Sequence, residues 1–310
     1  MIDLRSDICA APTDAMWEAM RSARLGWATY GEDENVNELE RRGAALLGKE
    51  AAVLVPTCSL ANLVALLALT KPGDRVAIDP SAHILLNEGD WLTEIAGLEP
   101  VSPEGEDPAD VVCIENTHTR RGGTVLTPAQ TAELAARAPR SHLDGARLAN
   151  AAVALGLPLA ELAAPVDTVA LSLNKGLCAP AGTILAGSTE TIAAARVHLK
   201  RLGGATMHKA GIFAAAGLIA LDLIGRLAED HARAKELARL IGAAEPETNI
   251  VYADLGAGAL ERLGAAGVLA MEFEGRTRFV THRLISDDDV AAASRAIPSA
   301  AVSTAIEPAT

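Results

Sequence analysis

Val166-Asp167-Thr168-Val169-Ala170-Leu171 runs into Ser172-Leu173-Asn174-Lys175-Gly176, an apolar, strand-forming stretch that ends by presenting one lysine and then a glycine. An ammonium at the end of a buried strand is costly to desolvate unless it is paired or neutralised. Burial favours the neutral amine, and a free amine condenses with an aldehyde on a cofactor or a substrate. Taken alone, the segment also fits a lysine on an exposed strand end. The neighbouring segments decide between the two.

About thirty residues earlier, Ser141-His142-Leu143-Asp144 reads as another strand with a charge at its carboxyl end, followed by a helix from Ala149 to Leu155. Further back, the strand Val111 to Ile114 ends at Glu115-Asn116-Thr117-His118, and the strand Arg75 to Ile78 follows the turn Lys71-Pro72-Gly73-Asp74. Ala51 to Val55 is a short buried strand that turns through Pro56-Thr57-Cys58-Ser59 into an apolar helix from Leu60 to Leu69. Strands alternating with helical patterns predict an α/β fold whose sheet is mostly parallel with right-handed crossovers. Such sheets bind ligands beyond the carboxyl ends of their strands. Thr57-Cys58-Ser59, His118, Asp144 and Lys175 all fall at such ends, and that convergence predicts a site.

Outward from this centre, Met1 to Pro12 reads as an extended arm before a helix through Met20, and Gly26 to Asn37 as a polar loop carrying Tyr30. Ala210 to Leu240 is a long helical stretch with Gly225 as a bend. Thr248 to Leu255 and Phe273 to His282 alternate like antiparallel strands before a last helix from Asp287 to Arg295. The expected division is a large domain over 1–225, with the arm, and a smaller α+β domain over 226–310.

Composition bounds the chemistry. A chain of 310 residues, half of them hydrophobic, can bury a large core, and its net charge of -13 argues against nucleic acid and anionic membrane as partners. Cys9, Cys58, Cys113 and Cys178 are scattered, with no spacing for zinc or for a disulfide framework, as in a reducing cytosol. No signal segment or membrane-length apolar run is present, so a cytoplasmic location is expected. Gly-x-Gly-x-x-Gly does not follow the first strand, and neither a nucleophile-elbow serine nor a clustered metal motif occurs. No metal site is expected.

Each remaining residue has two readings. Asp144 could hold a protonated ring nitrogen, making that ring an electron sink, or could cap a helix. Arg147 offers a fork for a carboxylate or an ordinary surface ion pair. Thr57-Cys58-Ser59 precedes a helix, so its hydroxyls and N–H groups suit a phosphate, although a hydroxyl there also serves as a cap. With only 3% aromatic residues, the planar His83 could cover a flat ligand. His118 is suited to proton transfer near neutral pH.

Asp3-Leu4-Arg5-Ser6-Asp7, Tyr30-Gly31-Glu32-Asp33, Ala82-His83-Ile84, Glu115-Asn116-Thr117-His118, His142-Leu143-Asp144-Gly145-Ala146-Arg147, Lys175-Gly176-Leu177 and Arg278-Phe279-Val280-Thr281-His282 occur in this order. Together they resemble the threonine aldolase/β-eliminating lyase family of pyridoxal-phosphate enzymes. The likeness spans nearly the whole chain. It implies the aspartate-aminotransferase-like fold (type I), with pyridoxal 5'-phosphate as cofactor. Lys175 would carry the cofactor as a Schiff base, Asp144 would pair with its ring nitrogen, His83 would stack on the ring, and Cys58 and Ser59 would hold the phosphate. Ser6, Arg147 and Arg278 would grip the carboxylate of a small amino-acid substrate, with His118 near its β-hydroxyl. Tyr30 would serve a partner subunit's site in a homodimer or homotetramer.

The activity implied is cleavage of a β-hydroxy-α-amino acid of the threonine or allo-threonine type to glycine and an aldehyde, His83 or His118 acting as base. Two alternatives stand beside it. One is β-elimination, racemisation or another carbon–carbon step on a different amino acid; the other is a non-catalytic relative. Several residues depart from the family pattern: Cys58 for glycine, Asn174 for serine, Ile8 for threonine, Trp27-Ala28 for an acidic pair, and His208-Lys209 for Arg-Gln. They lie at the cofactor and its entrance, and they imply weakened anchoring of the phosphate.

Overall fold

The computed structural model describes residues 1–105 and 108–297; the last part of the expected second domain, 298–310, lies outside them. Among the described residues the strands are β1 (Ile2–Asp3), β2 (Ala51–Val55), β3 (Arg75–Ile78), β4 (Glu99–Val101), β5 (Val111–Glu115), β6 (Ser141–Gly145), β7 (Thr168–Ser172), β8 (Thr183–Gly187), β9 (Ile250–Ala253), β10 (Val268–Leu269), β11 (Met271–Phe273) and β12 (Arg276–Val280). Seven of them form the central sheet in the order β2-β8-β7-β6-β5-β3-β4. From β7 to β4 every pairing is parallel, whereas β8 runs antiparallel to both β7 and β2.

β5, β6, β7 and β8 are each buried along their whole length, and β5, β7 and β8 are mostly apolar, as a sheet covered on both faces requires. β8 (Thr183-Ile184-Leu185-Ala186-Gly187) and the helix Thr189–Arg201 after it were not expected from the sequence. The antiparallel insertion brings the exit of β2 beside the turn after β7. That turn is bonded to itself, Cys178 N–H to the Lys175 carbonyl at 2.8 Å and Ala179 N–H to the Leu173 carbonyl at 2.9 Å. It is also bonded to the β2 exit, Gly182 N–H donating to the Pro56 carbonyl at 3.1 Å. Gly182 takes φ +114, and a Cβ there would lie 3.2 Å from Leu54, so glycine suits the crossing.

The carboxy-terminal part is built on the antiparallel sheet β11-β12-β9. Its core gathers Leu237, Ile241, Val251, Phe279 and Val290, and the amino-terminal arm contributes Leu4. β1 pairs in parallel with β10, Ile2 opposite Val268. The arm therefore packs on the second core while Ser6 and Asp7 continue toward the first. The long helical stretch is broken into Ala210–Asp222 and Leu227–Ile241, joined by the short turn Ile224–Arg226 that contains Gly225, with a bend of 54°. Among the described residues no single helix is long and apolar enough to cross a membrane.

Candidate active site

Five strand ends place the chemistry. β2, β3, β5, β6 and β7 run the same way, so Cys58, His83, His118, Asp144 and Lys175 emerge at one edge of the sheet. β6 and β7 are neighbours with Gly145 opposite Leu171. A Cβ on Gly145 would sit 2.5 Å from the Ala170 carbonyl oxygen, so the glycine after Asp144 keeps the two strands together. Asp144 is buried; its Oδ1 accepts the Ala146 N–H at 3.1 Å and its Oδ2 the Asn62 amide at 3.1 Å. Cys58 Sγ lies 3.7 Å from Asp144 Oδ1. Burial, and after it the Asp144 charge, pushes that thiol well up, while the Lys175 amine acts in the opposite sense. Asp144, Cys58 and Lys175 thus share one electrostatic environment. The Lys175 amine has no hydrogen bond or ion pair among the described residues.

Behind Asp144 stands a buried polar chain. Asn62 Oδ1 is 3.0 Å from His142 Nε2, and His142 Nδ1 is 2.9 Å from the Thr168 hydroxyl. Burial holds His142 neutral by lowering it to about 4, against the pull of Asp144. A neutral ring donates from Nε2 to Asn62 and accepts at Nδ1 from Thr168. This leaves the Asn62 amide nitrogen to donate to Asp144, which accepts it as a carboxylate.

On the other side of the crevice two guanidinium groups face each other. Arg147 is clamped by Asp7, Nε to Oδ2 at 2.9 Å and NH2 to Oδ1 at 2.7 Å, with NH1 donating to Thr119 Oγ1 at 3.0 Å. Burial alone would raise Asp7, but Arg147 and then Lys175 more than offset it and hold the carboxyl well below the usual range. Arg278 NH2 reaches the Arg5 carbonyl at 3.1 Å, while its buried Nε has no partner among the described residues. Burial, and after it the Arg147 charge, lowers Arg278. Ser6 Oγ lies beside Asp7 Oδ1 at 3.3 Å. Two buried cations, with the Arg278 Nε unmet among the described residues, form a binding set for a carboxylate.

His83 and His118 flank the crevice. Glu115 ties their loops together, Oε2 accepting the His83 N–H at 2.8 Å and Oε1 the Thr119 N–H at 2.9 Å. His83 Nδ1 lies 2.8 Å from Glu88 Oε1. His118 Nε2 lies 3.5 Å from Ser81 Oγ and 3.8 Å from Asp79 Oδ2, and its buried Nδ1 has no partner. The helix Cys58–Leu69 is capped by Thr57 Oγ1, which accepts the Leu60 N–H at 3.2 Å. The N–H groups of Cys58 and Ser59 remain without partners among the described residues.

Tyr30 is not brought to this cluster. It is exposed on the loop after Gly26, its ring edge-on to Trp27 at 4.7 Å, and Trp27 stands 6.2 Å from His208. Other residues of the site carried no assigned role in the sequence: Asp7, Asn62, Glu88 and Glu115. Asp7 and Glu115 lie within quoted motifs, and Asn62 had a local signal as the one amide in the mostly apolar helix Cys58–Leu69.

The donor set fits pyridoxal phosphate. It offers an unpaired amine, a carboxylate held by donors at its back, and a helix start with open N–H groups for an anion. A family model described as beta-eliminating lyase matches residues 3–107 and 101–255. Low-specificity L-threonine aldolase 1 of Arabidopsis thaliana is 32% identical over 334 residues, covering 93% of this chain and 93% of its own length. The low specificity L-threonine aldolase of Escherichia coli (strain K12) is 34% identical over 326 residues, covering 94% and 96%. Among solved structures, Leishmania major threonine aldolase superposes with a TM-score of 0.79 at 19% identity, covering 96% of this chain and 98% of that one. The 8-amino-7-oxononanoate synthase of Francisella tularensis superposes with a TM-score of 0.72 at 16% identity, covering 96% of each. The fold is that of the type I, aspartate-aminotransferase-like enzymes, and the chain belongs to the beta-eliminating lyase family.

Proposed function

We propose that this protein is a pyridoxal-phosphate-dependent aldehyde-lyase that cleaves a β-hydroxy-α-amino acid, threonine or allo-threonine in type, to glycine and an aldehyde. The observation that carries the reading is the convergence of the unpaired Lys175 amine, the Asp144 carboxylate and the facing pair Arg147 and Arg278 on one crevice. Relatives named low-specificity L-threonine aldolase over nearly the whole chain support the substrate class.

In this reading Lys175 would hold the aldehyde carbon of the cofactor, Asp144 its ring nitrogen, and the Cys58 and Ser59 N–H groups its phosphate. When bound, the cofactor supplies an electron sink for the pair released at Cα. Arg278, with Ser6 and the Asp7-braced Arg147, fixes the substrate carboxylate and so the orientation of its Cα–Cβ bond. His83 or His118 takes the proton of the β-hydroxyl. The O–H electron pair becomes the carbonyl bond of the departing aldehyde as the Cα–Cβ pair moves onto Cα.

We also place the enzyme in the cytoplasm as a homodimer or homotetramer. Four free cysteines fit a reducing compartment, and the exposed Trp27 and Tyr30 suit a subunit contact that brings Tyr30 to a neighbouring site. The test is incubation of the purified protein with threonine, with allo-threonine and with serine, glycine and acetaldehyde being assayed separately from pyruvate. Acetaldehyde in step with glycine supports the proposal. Pyruvate from serine without acetaldehyde from either threonine isomer would move the enzyme to β-elimination.

A further inference from the structure

Glu88 is the residue at this crevice that the proposed reaction leaves unexplained. It follows the short helix His83–Asn87, and its side chain is only 1% exposed. Its Oε1 lies 2.8 Å from His83 Nδ1 and 3.2 Å from Asn62 Nδ2, and Oε2 lies 3.5 Å from the same amide nitrogen. One amide nitrogen therefore bridges Glu88 and Asp144. The orientation of that amide is settled by its surroundings. Flipping it would set the oxygen against two carboxylates and the nitrogen against the donating Nε2 of His142.

Asn62 thus donates to Glu88, and His83 is the group left to complete the acceptor shell at Oε1. An imidazole that donates from Nδ1 keeps its lone pair on Nε2, across the ring from Glu88. His83 Nε2 has no partner among the described residues, its ring is partly exposed (36%), and one of its nitrogens lies within 4.8 Å of an Asp144 oxygen. The backbone of His83 is fixed independently by Glu115.

We infer that Glu88 is a positioning residue that holds His83 in its Nδ1–H tautomer, so that Nε2 is the atom that takes the β-hydroxyl proton. This rests on the reading of His83 as proton acceptor in the proposed cleavage. In the step the substrate O–H bond breaks and an Nε2–H bond forms, and the resulting imidazolium charge lies against the Glu88 carboxylate. Burial of that carboxylate on a shared amide keeps the pair aligned before substrate arrives.

The tautomer is read without turnover, by ¹⁵N NMR of the histidine rings in the cofactor-free protein, the His83 signals being assigned with His83→Asn. Wild type and Glu88→Gln, which keeps an acceptor at the Oε1 position, should both show a protonated Nδ1 and a bare Nε2. Glu88→Leu should show a mixture or the opposite tautomer, with kcat on threonine reduced roughly ten- to a hundred-fold at little changed KM and partly restored in Glu88→Gln. An Nε2–H tautomer in the wild type, or an unchanged tautomer in Glu88→Leu, overturns the inference. Should Glu88→Leu fail to fold, the wild-type and Glu88→Gln spectra decide. The expected tautomer in a protein that cleaves neither threonine isomer upholds the positioning role and rejects the proposed function instead.

Discussion

Cys58 is the side chain with the most direct reach on the cofactor side. Its thiol, 3.7 Å from Asp144 Oδ1, donates to an oxygen that a ring N–H would also use. Cys58→Gly should therefore tighten pyridoxal-phosphate binding by about 1 kcal/mol, roughly five-fold, measured by titrating cofactor-free protein and following the visible absorbance. An unchanged affinity would mean that the thiol does not compete for Asp144. Arg278 should act on the substrate alone. Its Nε is unmet, whereas its neighbour Arg147 already gives three N–H groups to Asp7 and Thr119. Losing a charged hydrogen bond costs about 1.5–3 kcal/mol, so Arg278→Ala should lower kcat/KM on threonine roughly ten- to a hundred-fold, with cofactor affinity preserved. A matching loss of cofactor would place Arg278 on the phosphate instead.

Elements fix how well these groups are aimed. The helix Cys58–Leu69 starts at the β2 exit, and Thr57 caps it through Leu60 N–H. Thr57→Ala should cost about 1 kcal/mol of stability, read as a lower urea midpoint at unchanged slope, and should loosen cofactor binding because the same helix start presents Cys58 and Ser59. Stability lost with no loosening would separate the cap from the cofactor site. At this scale much was legible. The strand Arg75–Ile78 and the helix Ala210–Asp222 stand where hydrophobic period and turn residues put them. The central strand β7 begins at Thr168 rather than at Val166, because Asp167 turns aside to accept the Ser141 N–H at 2.7 Å. β8 is not legible in the sequence because a short apolar run bounded by loops gives neither helix nor strand a distinctive period.

For the molecule as a whole, two buried histidines set the response to acid. His142 and His231 are both lowered to about 4 by burial, from an ordinary 6.5. Between those values the unfolded chain binds the protons and the folded one does not. Their contribution is therefore complete above pH 6.5 and is lost as the pH falls toward 4, at roughly 1.4 kcal/mol per unit for each ring. Asp230, raised by burial, works in the opposite sense lower in the range. Unfolding free energy measured in urea should fall between pH 7 and pH 5, and His231→Gln should shrink that fall. A flat profile in the wild type would mean that the two rings take up protons without unfolding. His231 Nε2 lies 2.9 Å from Asn150 Oδ1, between the helices Leu227–Ile241 and Leu148–Leu155, so this acid sensitivity belongs to the packing of one part on the other.

By itself the sequence determined the alternation of strands and helices, the parallel sheet and the chemical identity of the residues at its carboxyl edge. Those features follow from local period, turn residues and the two-fold alternation of a strand, all of which act over a few positions. Only the tertiary structure decided which groups meet. Asp7 reaches Arg147 across 140 positions, Asn62 reaches Asp144 across 82, and Leu4 enters the core of the carboxy-terminal part. Such pairings are set by strand order and by the need of every buried charge and amide to find a partner, and neither is written within any one segment.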